Sequence, residues 1–148
     1  MLALGVDGCT GGWIGVRRLN DVGQLQTLRR DTLREFLVLT PAPVIVAVDV
    51  PIGLLAAGAR LCDKEARRLL GLRRASVFPA PVRPMLGSRS HSEASAIRNS
   101  IEGKGMSIQA FGILEKITEV DELLTTQPRS REIVREVHPE VSFYFLNG

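Results

Sequence analysis

The chain has 148 residues, 45% of them hydrophobic and 24% charged, with a formal net charge of +3. That length suits one ordinary domain with a sizeable core, and that balance excludes a disordered chain. No apolar run approaches the roughly 20 residues a membrane helix needs, so no membrane partner is expected.

The charge is unevenly distributed. Residues 1–59 carry 5 basic and 5 acidic residues, residues 60–104 carry 10 and 4, and residues 105–148 carry 4 and 7. A middle segment with a net of +6 can contact phosphates if its cations share a face. It can equally be a solvated surface. The opening MLALGVDG lacks a basic n-region and runs into a strand pattern, so no signal peptide is expected. Without one, Cys9 and Cys62 read as two reduced thiols, which points to the cytoplasm.

In chain order, Leu2 to Val6 is a short apolar run closed by Asp7. Gly8 to Gly12 is a turn signal, and Trp13 to Val16 resumes a strand, giving a β-hairpin with a Gly-rich loop. Gln24 to Leu28 is a third strand candidate. Thr32 and Glu35 have capping-box spacing, so a helix is expected from about Asp31 to Leu39, ending before Pro41. Val44 to Val48 is an unbroken apolar run closed by Asp49, the pattern of a strand buried on both faces. A helix follows from about Cys62 to Leu70, stopped by Gly71. Residues 72–88, with three prolines, read as a loop. A short helix is expected from Ser90, boxed by Glu93, to about Ile101. Ser107 can cap one long helix whose apolar stripe is Ile108, Phe111, Leu114, Ile117, Val120 and Leu124. Ile133 to Val137 is a last strand, and Pro139 begins a final helix. This order implies an α/β fold: a mixed β-sheet, antiparallel over its first three strands and parallel thereafter, flanked by helices. No linker divides the chain, so residues 1–148 read as a single domain.

Acidic residues fall at or just past strand ends: Asp7, Asp49, Glu136 and, beyond the last strand, Glu140. Central strand ends lie side by side in a sheet, so such carboxylates can converge. Hard oxygen ligands of this kind suit Mg²⁺ or Mn²⁺. Each has a plainer alternative. Asp7 can simply begin a turn. A charge after the apolar run ending in Asp49 is costly to bury without a partner, which favours a role for it. Glu136 can pair with Arg131 or Arg135 on a surface. His138 can act as a base or be a satisfied structural histidine, and His91, in a Ser-rich stretch, reads as exposed. Gly103-Lys104-Gly105 lacks the context of a P-loop. The Gly8–Gly12 hairpin does not fit the dinucleotide fingerprint, but its place resembles the phosphate-holding hairpin of actin- and sugar-kinase-like ATPases, which keeps a phosphotransferase reading open. No Cys/His set has zinc spacing.

The strings GVDGCTGGW (5–13), VAVDVPIGL (46–54), RLCDKEARRLLG (60–71), RRASVFPAP (73–81), GKGMSIQAFGILEKITEVD (103–121) and EVHPEVSF (136–143) follow one another in this chain. Together they resemble a domain-of-unknown-function family of uncharacterised bacterial and archaeal proteins identified as predicted ribonuclease H-like nucleases. The resemblance runs from Gly5 to Asn147. It implies a ribonuclease H-like fold and a metal-dependent nuclease hydrolysing phosphodiester bonds in DNA or RNA. It places Asp7 and Asp49 at the first two acidic positions of the site, with Glu136, His138 and Glu140 as further polar groups. In that reading Asp7, Asp49 and Glu136 hold Mg²⁺ or Mn²⁺. Arg60, Asp63, Arg67, Lys104 and Gln109 line the same cleft, the basic ones as phosphate contacts. Asp63 and Arg67 also have the spacing of an i,i+4 pair. Similar proteins continue past the position where this chain stops, with a strand and a helix carrying another acidic residue. The chain therefore reads as a short or C-terminally truncated member lacking the last elements. A missing helix would uncover sheet surface, so a homodimer is expected. An incomplete carboxylate set makes a non-catalytic nucleic-acid-binding or scaffold protein the main alternative.

Overall fold

A computed structural model of the chain describes residues 2–19 and 23–146. The strands are β1 (Ala3–Cys9), β2 (Gly12–Arg18), β3 (Leu25–Arg30), β4 (Ile45–Val48) and β5 (Val134–Glu136). The helices are α1 (Arg34–Leu37), α2 (Leu61–Leu70), α3 (His91–Glu102), α4 (Ile108–Gly112), α5 (Leu114–Thr126) and α6 (Pro139–Leu146). Short 3₁₀ turns cover Gly71–Ser76, Arg83–Met85 and Pro128–Glu132. The strands form one sheet in the order β3-β2-β1-β4-β5. β1 pairs antiparallel with β2, and β2 with β3; β4 runs parallel to both β1 and β5. This mixed sheet is the α/β architecture expected from the sequence, and it is consistent with a ribonuclease H-like fold. The last residue of the family resemblance, Asn147, lies outside the described residues.

The chain forms two compact units. One comprises residues 1–52 and 119–137, the other 53–118 and 138–148. The first holds the whole sheet. Its hairpin is tighter than the glycine run suggested: β1 and β2 stay paired as far as Cys9 and Gly12, which leaves only Thr10 and Gly11 in the turn. Gly11 has φ +71°, which suits glycine. A Cβ on Gly12 would stand 2.3 Å from the Arg30 carbonyl oxygen, so β3 requires glycine there. One face of the sheet is core: Leu4, Val6, Trp13, Val46, Val48 and Val134 are buried by strict alternation. Phe36 of α1 lies over Gly15, whose missing side chain makes room for the ring. The opposite face is different. Ile14, Val16 and Ile45 are each about 40% exposed, so β4 is buried on one face only, against the expectation from its unbroken apolar run. An apolar residue in a strand reports propensity, whereas burial needs a second layer over its face.

The second unit has its own core of Val82, Met85, Ala94, Met106, Ala110 and Leu114. Ser90 caps α3 by accepting from Glu93 N at 3.1 Å, and the Glu93 carboxylate accepts from Arg89 N at 2.8 Å. Gly103 ends α3 in a left-handed conformation. Ser107 caps a helix as expected, with Ala110 N donating to its hydroxyl. That helix stops at Gly112, and α5 starts afresh at Leu114. The single long helix is thus two, and Ile108 of the expected stripe is exposed. Glycine weakens a helix by about 1 kcal/mol relative to alanine, and here a break falls where it stands. The helix expected over Asp31 to Leu39 shrinks to the four residues of α1, while Glu35 gathers the N–H groups of Asp31 and Thr32 at 3.0 and 2.9 Å.

Candidate functional site

The parallel pairing of β1 with β4 puts Val6 beside Val48. Asp7 and Asp49 therefore follow the last paired residues of two neighbouring central strands, which run about 4.8 Å apart. The ladder extends one further bond, Asp49 N donating to the Val6 carbonyl at 3.4 Å. Both aspartates are exposed. The alternation that turns Val6 into the core turns Asp7 away from it. Gly8 N donates to Asp7 Oδ1 at 2.7 Å, which fixes one carboxylate oxygen.

Glu136 sits differently. Its Cα pairs with Val48, so it shares the row of Val6 and Val48 rather than that of Asp7. Its Oε2 accepts from Ile52 N at 2.8 Å, tying β5 to the segment that follows Asp49. Among the described residues no three His, Cys, Asp or Glu side chains gather as a metal-binding group. The structure thus places Asp7 inside β1, which runs on to Cys9 rather than ending at Asp7 as expected, just past its last pair with β4 and beside Asp49, which follows the end of β4; Glu136 holds the backbone at Ile52.

The other predicted residues lie in the second unit. His138 Nδ1 stands 3.1 Å from Glu140 Oε2, an ion-pair distance when the imidazole is protonated but without hydrogen-bond alignment. Arg60 is buried, and its Nε and Nη2 donate to the two oxygens of Asp63 at 3.1 and 2.5 Å. Asp63 therefore pairs with Arg60 rather than with Arg67, and the Arg60 fork is engaged inside the unit instead of presented as a phosphate contact. Arg67 Nη2 donates to the Val77 carbonyl at 2.6 Å. Lys104 is largely exposed, its Nζ 3.5 Å from Glu102 Oε2. Gln109 is exposed on α4. His91 is half-buried rather than exposed: its Nε2 lies 2.7 Å from the Met106 carbonyl, and its ring meets Phe111 edge-on.

Two groups escaped the sequence reading. Arg98 and Glu102 form a second buried ion pair at 2.9 Å, whose only signal was their i,i+4 spacing on α3. Gly58 N also donates to Glu102, at 3.0 Å. The hydrogen bond from Arg98, opposed by burial and helped by Gly58 and Lys104, holds the Glu102 carboxyl below its ordinary 4.5. In the first unit, Glu119 of α5 accepts from Trp13 Nε1 at 2.8 Å and from Leu33 N at 2.7 Å. Nothing local to any of these three residues announces the contact.

Neither Cys9 nor Cys62 is in a disulfide. Among the described residues, no helix is long and apolar enough to cross a membrane. Residues 5–148 match a family model described as "Protein of unknown function (DUF429)". No curated protein and no solved structure matches the chain.

Proposed function

Because the chain belongs to the DUF429 family, whose description carries no activity, we propose a function from its own residues: a Mg²⁺- or Mn²⁺-dependent nuclease that hydrolyses phosphodiester bonds. The observation that supports this reading is the placement of Asp7 and Asp49 on neighbouring parallel strands, each one residue past the last β1–β4 pair, Val6 with Val48. Two exposed carboxylates fit such an ion, because Mg²⁺ keeps several waters and is commonly held by one or two carboxylates plus substrate phosphates. When bound, the metal supplies Lewis acidity and a nucleophilic hydroxide at neutral pH. In this reading Asp7, oriented by the Gly8 N–H, and Asp49 hold the cation. Glu136 fixes the segment after Asp49 through Ile52 N and is a positioning residue. We place the activity in the cytoplasm because neither cysteine forms a disulfide. The assembly proposed is a homodimer. Light scattering then gives twice the 16.2 kDa chain mass, and the monomer mass at micromolar concentration removes the dimer.

The test is a Mn²⁺ titration by calorimetry on the wild type, Asp7→Asn and Asp49→Asn, with DNA and RNA cleavage assayed on the same samples. Specific binding that both substitutions abolish, together with cleavage, is the expected result. No binding at millimolar metal defeats the nuclease reading.

A second reading is favoured by the engagement of Glu136 with Ile52, which leaves two carboxylates where the resemblance implies three. It is a non-catalytic nucleic-acid-binding or scaffold protein, and it gives salt-sensitive binding without cleavage. The phosphotransferase reading loses ground for a geometric reason: a two-residue turn with Gly12 packed on the Arg30 carbonyl leaves little loop to wrap a phosphate.

A further inference from the structure

The second unit contains a partly enclosed cavity of about 190 Å³. Its charged lining is Asp63, Lys64, Arg67, Arg98, Glu102 and Lys104, four bases against two acids, a net of +2. The charges divide into two sets. Asp63 is neutralised by Arg60, and Glu102 by Arg98, in pairs whose side chains are at most 10% exposed. Those pairs are structural walls. Lys64, Arg67 and Lys104 remain. Among the described residues Arg67 meets only the neutral Val77 carbonyl, and Lys104 reaches only a carboxylate already held by Arg98.

We infer that this cavity binds a phosphomonoester, with Arg67 and Lys104 contacting the phosphoryl oxygens. The charge argues for that class. A phosphomonoester carries about −1.5 to −2 at neutral pH, so it engages more of the three remaining bases than a singly charged group does. A phosphodiester carries one charge and continues in both directions, which suits an open groove better than a partly enclosed cavity. Volume argues likewise: at about 30 Å³ per water the cavity has room for roughly six waters, enough for a phosphoryl group and the first atoms esterified to it. Arg67 is suited to the task because the bond to Val77 fixes its planar fork in place. This inference goes beyond the nuclease reading and holds whether or not Asp7 and Asp49 bind metal.

The test is calorimetric titration of inorganic phosphate into the full chain in EDTA, which separates it from any failure of the metal site. One site is expected, and Lys104→Gln weakens it by about tenfold, the effect of losing one charge-assisted hydrogen bond. Lys104 is exposed enough for that variant to keep its fold, which circular dichroism checks. Arg67→Lys weakens binding as well, since it keeps the charge and loses the fork. Arg34→Ala, in the first unit, leaves binding unchanged. No phosphate binding at millimolar concentration overturns the inference. So does equal weakening by Arg34→Ala, or acetate competing as well as phosphate. A 5′-phosphorylated oligonucleotide that outbinds its 5′-hydroxyl form and a nucleoside monophosphate supports the site with a strand end as ligand. The reverse order supports it with a free small phosphomonoester.

Discussion

Glu102 and Glu119 show how much rests on single carboxylates outside any motif. Glu102 closes a buried pair with Arg98, and breaking such a pair by removing one partner costs about 3–5 kcal/mol. Its carboxyl is held below 4.5 in the fold, chiefly by Arg98. A depressed carboxyl contributes stability above its unfolded pKa and loses it as the pH falls through the folded value. The wild type is therefore expected to lose stability on acidification below about 4.5, in part through this group. In urea titrations across pH, Glu102→Gln should be less stable at neutral pH by about 3 kcal/mol and show a shallower acid limb. An unchanged acid limb would assign that limb to other groups. Glu119 accepts from two groups whose residues are fully buried, Trp13 and Leu33. Glu119→Ala is expected to cost about 1–3 kcal/mol, and Glu119→Gln, which retains one acceptor oxygen, less. Equal losses in the two variants would point to lost packing instead.

At the scale of elements, the β1–β2 hairpin and α1 are matched through glycine. A Cβ on Gly15 would lie 2.5 Å from Phe36 Cε1. Gly15→Ala should cost about 1–3 kcal/mol by overpacking, and Phe36→Leu in the same chain should recover part of it, because the clash is with a side chain. Strict additivity in that double-mutant cycle would show that the ring does not press on this strand. Helix starts were legible because caps are local: Ser90 with Glu93 and Ser107 with Ala110 bond as their spacing implies. Helix lengths were less so. The interruption between α4 and α5 was hidden by an apolar stripe that continues across it, since periodicity records a face and not the continuity of hydrogen bonds.

For the whole molecule, the strand order β3-β2-β1-β4-β5 makes Asp7 and Asp49 neighbours across 42 positions of sequence. The +6 segment, residues 60–104, lies in the second unit. If its cations contact phosphates, nucleic-acid affinity should fall linearly with log salt, and each phosphate contact should contribute about 0.9 to the slope on duplex DNA. Fluorescence anisotropy titrations across salt measure that slope, and a slope near zero would remove the segment from the phosphate contacts.

What the sequence determined by itself is local: the hairpin, the caps of α3 and α4, and an aspartate directly after the apolar run of β4. These follow from dihedral preferences and from periods of 2 and 3.6, which are properties of neighbouring residues. The tertiary structure alone decided which face of β4 is covered, that Glu136 serves Ile52 N, and that Glu119 reaches Trp13 and Leu33. It also chose Arg60 over Arg67 as the partner of Asp63. For Glu119 and for the Arg60–Asp63 pair the reason is the same. A charge or a polar N–H in a low-dielectric surrounding takes whichever partner packing brings within about 3 Å, and packing depends on elements dozens of residues apart.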